Sequence, residues 1–118
     1  MGGDAENDEM TTPEQLNEGL RQVWLKYLPA TRSRIEILER ALEASESGSL
    51  SRELILDAAE AAHKLAGSLG TFGLHSSSAI ASQIELAFES GRLADLRAPA
   101  LRDSFRNLKR KVESQWSS

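Results

Sequence analysis

From Pro13 onward the apolar residues recur every three or four positions, the spacing of amphipathic helices, and no segment alternates with the period of two that a strand needs. Leu16, Leu20, Val23, Trp24 and Tyr27 fit one face of a first helix. It is predicted to end near Pro29, because proline lacks the amide donor and clashes with the preceding turn. Ile35, Leu38 and Leu42 continue as a second helix, closed by the serine-rich residues 45–49 around Gly48. Ser51 suits the N-cap of a third, with Glu53 favourably placed in its first turn. That helix runs to about Phe72, before Gly73. Ser76 or Ser77 can cap a fourth, which runs to Ser90 before Gly91. Pro99 opens a fifth, whose face is Leu101, Phe105, Leu108 and Val112.

Short connections imply that neighbouring helices run antiparallel. The expected fold is all-α: an antiparallel up-and-down four-helix bundle over residues 13–116, with an additional short or kinked N-terminal helix. Trp24 and Trp116 are expected to pack a bundle end. The first dozen residues are polar and aperiodic and read as a disordered acidic leader.

Composition narrows the chemistry. At 118 residues the chain allows one domain with one core. With no cysteine there is neither a disulfide framework nor a thiolate metal site. No apolar run approaches the roughly 20 residues of a membrane span, and residues 1–4 begin no secretory signal, so the reading is a cytoplasmic domain without membrane insertion. The net charge of −4 is uneven. Residues 1–14 carry Asp4, Glu6, Asp8, Glu9 and Glu14 with no base, which leaves 13 acids against 14 bases elsewhere. The bases between Arg92 and Glu113 are spread around a helix, as on a solvated face, so no nucleic-acid partner is expected.

The third helix is unusual. With about 100° per residue, Leu54, Ala58, Ala62, Leu65 and Leu69 fall within roughly 40° of one line, the core stripe. His63 lies about 140° from that line and should face solvent. On its side stand only Ala59, Ala66, Gly67 and Gly70 among nearby positions. Each interior glycine costs about 1 kcal/mol relative to alanine. Glycines that serve a helix crossing belong on the core stripe, whereas Gly67 and Gly70 are on the histidine side. The cleared face therefore reads as access to His63 for a docking protein. Glu85 can be placed by arithmetic. It follows the hairpin centre near Gly73 by about as many residues as His63 precedes it, so the two are level at about 1.5 Å per residue. Glu85 lies off the line of Ile80, Ile84 and Ala87 and can reach across the groove to Nδ1–H of His63. Such a bond leaves Nε2 with the free lone pair and makes the imidazole a better oriented nucleophile.

The run Ala62-His63-Lys64-Leu65-Ala66-Gly67-Ser68-Leu69-Gly70-Thr71-Phe72-Gly73-Leu74 resembles the signature of histidine-containing phosphotransfer (HPt) domains. The resemblance covers about 100 residues, because helix number and order agree as well. It implies that His63 is the phosphorylated residue, that Gly67 clears the way for a receiver domain, and that Glu85 occupies a position often polar and bonded to the histidine. One departure stands out: the family usually has lysine three residues after the histidine, and here that residue is Ala66. Lys64 remains as a possible phosphoryl contact.

The reading is a phosphorelay intermediate. His63 accepts a phosphoryl group from a receiver phospho-aspartate, or from a kinase, and passes it to another receiver. The docking face would comprise Ala59, Glu60, Ala66, Gly67, Ser68 and Gly70. Expected partners are response-regulator receiver domains and a sensor histidine kinase, with the chain itself a monomer. Without a phosphate-cradling loop or a carboxylate cluster, no nucleotide, cofactor or metal of its own is expected. His75 reads as a surface or capping residue, and the serines lack a base in register. The competing class is a non-phosphorylated helical module that docks a receiver.

Overall fold

The computed structural model describes residues 13–115, with side chains from Glu18 onward. The acidic leader, the packing of Leu16 and the placement of Trp116 lie outside the described residues. Five helices follow in order: α1 (Pro13–Ser47), α2 (Arg52–Thr71), α3 (His75–Ser90), α4 (Leu93–Leu96) and α5 (Pro99–Ser114). Among the described residues there is no strand.

The two segments expected on either side of Pro29 are one helix. The proline lies on the solvent side, where the carbonyl left without its donor can be hydrated. The opposite face is buried on both sides of it, through Trp24, Thr31, Ile35 and Leu38. Packing along that face outweighs the local penalty of the proline. A second correction concerns the first turns of α1. Of Leu20, Val23, Trp24 and Tyr27, expected to share a buried face, only Trp24 is buried, and the other three are exposed.

Trp24, Leu38, Leu42, Leu65, Leu69, Ile84, Phe88, Leu108 and Val112 form one continuous core. Fully burying a side chain of this size contributes about 1.5–3 kcal/mol, so this apolar seam is the main source of stability. Trp24 meets Phe72 edge to face, with centroids 5.1 Å apart. The α1 residues Arg32, Glu39 and Glu46 meet Glu113, Lys109 and Arg102 of α5 in turn. Being largely exposed, such pairs contribute at most about 1 kcal/mol each, and they fix register more than stability.

The four-residue α4 was not foreseen, since one turn carries no readable period. It brings Leu96 into the core, and Arg97 just after it donates from Nε to the carbonyl of Ser45, 2.7 Å away. That bond satisfies a carbonyl in the last turn of α1, which has no basic residue of its own.

Candidate functional site

The site grows from α2. Ser51 Oγ accepts from the amide of Leu54 at 3.0 Å, and Glu53 lies in the first turn, so the helix begins where its cap residue stands. Ala58, Ala61, Ala62, Leu65 and Leu69 are its buried face. The helix ends through a tight reversal. The amide of Gly73 donates to the carbonyl of Gly70 and that of Leu74 to Leu69, with Gly73 at φ +82°. A left-handed conformation of this kind favours glycine. The buried side chain of Leu74 pins the reversal and occupies the cap position, so α3 starts at His75, one residue before the serines expected to cap it. Neither Ser76 nor Ser77 forms the side-chain cap.

Two cross-links set the register of α2 on α3. Ser78 Oγ donates to the carbonyl of Ala66 at 2.7 Å. Farther from the turn, His63 Nδ1 lies 3.1 Å from Glu85 Oε2. The imidazole is 74% exposed while the carboxylate is 20% exposed. The acid is therefore the fixed member of the pair, and the ring stands out from it with Nε2 toward solvent.

The residues around His63 fall into three groups. Gly67, one turn on, is exposed, and a Cβ added there would meet no atom within 4 Å. Glu60 is also exposed, one turn before the histidine, and pairs with Lys64 at 3.4 Å. This pair turns Lys64 toward the groove between α1 and α2, away from Glu85 on α3. Ala59, Ala66 and Gly70 form the second group, half-buried on the side of α3. Gly70 is where expectation fails: a Cβ there would come within 3.3 Å of Ser78 Oγ. This glycine does serve a helix crossing, although it is off the core stripe. Ser68 is alone in the third group, half-buried with its hydroxyl donating to Leu65 and facing α1.

One surface element was missed in the sequence. Leu20, Val23 and Tyr27 of α1, with Ser68, Thr71 and Phe72 of α2, line an open cavity of about 400 Å³. Tyr27 is 53% exposed and touches Phe72 edge to face, with centroids 6.2 Å apart. The signal was present in the spacing, since Val23 and Tyr27 are one turn apart. Their side of the helix is fixed only by where α2 lies.

A family model described as Hpt domain matches residues 22–113, more than half of the chain. The chain belongs to the Hpt domain family. Hpt domains act in phosphorelay and two-component signalling and interact with the receiver domains of response regulators, so this Hpt domain has its place in that chemistry. No curated protein and no solved structure matches the chain. The domain has no described helix long and apolar enough to cross a membrane. No cluster of three or more metal-ligating side chains occurs among its described residues.

Proposed function

We propose that this Hpt domain is a phosphorelay intermediate whose phosphoryl carrier is His63. The observation that carries the reading is the pairing of His63 Nδ1 with Glu85 Oε2 at 3.1 Å beside the open backbone of Gly67. In the neutral imidazole Nδ1–H donates to the carboxylate and Nε2 holds the lone pair. Nε2 attacks the phosphorus of a receiver's aspartyl phosphate, forming the N–P bond as the bond to the aspartyl oxygen breaks. The carboxylate of the receiver leaves, and the Nδ1 proton stays with the imidazole against Glu85. Transfer to a second receiver runs the same exchange in reverse.

Positioning and charge neutralisation are what such a transfer needs. Glu85 supplies the first by fixing the ring. The metal ion and much of the positive charge would come from the receiver, because Ala66 stands where the family usually has a lysine. Lys64, held by Glu60, would contact the phosphoryl group after releasing that partner. The docking face runs from Glu60 and Gly67 over Ser68 to the exposed Val23 and Tyr27, with Ala59, Ala66 and Gly70 as its half-buried floor along α3.

The domain spans residues 13–116 as a cytoplasmic monomer serving receiver domains and a sensor kinase. Its long helices follow an up-and-down antiparallel order, as the sequence of contacts between α1 and α5 supports. Incubation with a phosphorylated receiver tests the assignment. Acid-labile, base-stable phosphate should appear on the wild type and be absent from His63→Gln; label on neither protein overturns it. The second reading, a docking module that binds a receiver without transfer, is favoured only by Ala66. It predicts receiver binding with no label on either protein.

A further inference from the structure

A hydroxyl inside a helix ordinarily bonds to its own backbone. Thr31, Ser45, Ser68, Thr71 and Ser90 do so, each donating to a carbonyl three or four residues back. Ser78 does otherwise. Its hydroxyl leaves α3 and donates at 2.7 Å to the carbonyl of Ala66 on α2, in a half-buried setting. Ala66 lies inside α2, so its carbonyl already serves the helical ladder and Ser78 takes the second lone pair. The contact needs no such bond for its packing. A Cβ on Gly70 would lie 3.3 Å from Ser78 Oγ but 3.8 Å from Ser78 Cβ. The longer distance is ordinary van der Waals contact, so alanine at both positions would pack equally closely. Alanine also forms a better helix than glycine or serine. What Gly70 and Ser78 add over a pair of alanines is one directional hydrogen bond between the helices.

That bond shares a stripe of α3 with the partner of the histidine. Ser78 and Glu85 are two turns apart and within about 20° of one line, and both reach α2. The side chain of His63 leans toward the start of α2 and that of Glu85 toward the start of α3, so they meet farther from the turn than the tie at Ala66. Rotation of α3 about its axis would carry the carboxylate off the imidazole. Apolar packing resists that rotation without direction, whereas a hydrogen bond has one. We infer that Ser78 is a positioning residue for the His63–Glu85 pair: its bond to the Ala66 carbonyl, with the clearance at Gly70, holds α3 in the rotation that keeps Nδ1–H against the carboxylate. Its effect on the ring needs no partner, whereas its effect on transfer rests on His63 being the phosphoryl carrier.

The double variant Gly70→Ala/Ser78→Ala, made in the full chain, removes the bond and keeps the contact. Its thermal unfolding should come at or above the wild-type temperature. Imidazole nitrogen chemical shifts of His63, recorded in alkaline solution where histidines are neutral, report which ring nitrogen carries the proton. The Nδ1–H share should fall from its wild-type value toward that of Glu85→Ala, and receiver-dependent labelling should slow about threefold. Ser78→Ala alone should move the proton in the same direction. A tautomer ratio that stays at the wild-type value in both folded variants overturns the role, whatever the labelling rate. A wild type already at the Glu85→Ala ratio overturns it as well. A shifted ratio with no labelling of the wild type supports the hold of Ser78 on the ring and overturns the carrier assignment instead.

Discussion

Gly67 and Gly70 stand three residues apart on one helix, yet they are glycines for different reasons. At Gly70 the neighbouring helix decides: Ser78 Oγ would lie 3.3 Å from an added Cβ, and that hydroxyl is tethered to the Ala66 carbonyl at 2.7 Å. At Gly67 nothing among the described residues decides, because an added Cβ would meet no atom within 4 Å. Alanine there would strengthen the helix by about 1 kcal/mol at no steric cost. Under the proposed function, a residue that weakens its own helix, for no reason found among the described residues, answers to a receiver that approaches from outside. The difference separates the floor of the α2–α3 contact from the surface that the proposed function offers to a partner.

The largest effect that can break this comparison is Gly67→Leu. Receiver-dependent labelling of His63 should fall at least tenfold, or about 1.4 kcal/mol, while thermal unfolding shows no loss of stability. Unchanged transfer would remove the distinction between the two glycines. Glu85→Ala comes next. Transfer should slow by several-fold without ceasing, since the ring loses its orienting acceptor and keeps its nucleophilic nitrogen. Stopped-flow labelling that shows wild-type rates would make the pair idle. A smaller and purely structural contrast sharpens the point. Gly67→Ala should raise stability by about 1 kcal/mol, roughly 4–8 °C in Tm for a domain of this size. Gly70→Ala should change it by less than about 0.5 kcal/mol, because the gain in propensity is offset by displacing Ser78. In a Ser78→Ala background the Gly70→Ala gain should recover to about 1 kcal/mol, measured by chemical denaturation.

Much of this was legible because it depends on one helix at a time. The core stripe of α2, the outward position of His63 and the Ser51 cap follow from angular spacing and cap chemistry alone. The level of Glu85 with His63 follows from counting outward from the turn at Gly73, as the distance of 3.1 Å reflects. What failed depends on a second helix. Pro29 reads as a stop until the buried line from Trp24 to Leu38 shows what holds the helix together across it. Leu20, Val23 and Tyr27 read as core until α2 is seen to cover only Trp24 on that stretch. Gly70 reads as clearance until Ser78 is found beneath it. Serines 76 and 77 look like caps because cap preference ranks them so, whereas the burial of Leu74 fixes the start of α3 two or three residues earlier than a serine cap would.

The uninterrupted run of α1 has a mechanical consequence. Trp24 clamps it at one point and the stretch from Thr31 to Leu42 clamps it at another, so it behaves as a beam on two supports. Pro29 removes one rung between those supports, on the outer side. Bending strain therefore concentrates there rather than being shared along the rod. Tyr27 rides on that span, while His63 and Gly67 belong to the doubly tied pair of α2 and α3. A receiver seated on the proposed docking face would meet one compliant wall and one rigid one, and the rigid wall holds the imidazole.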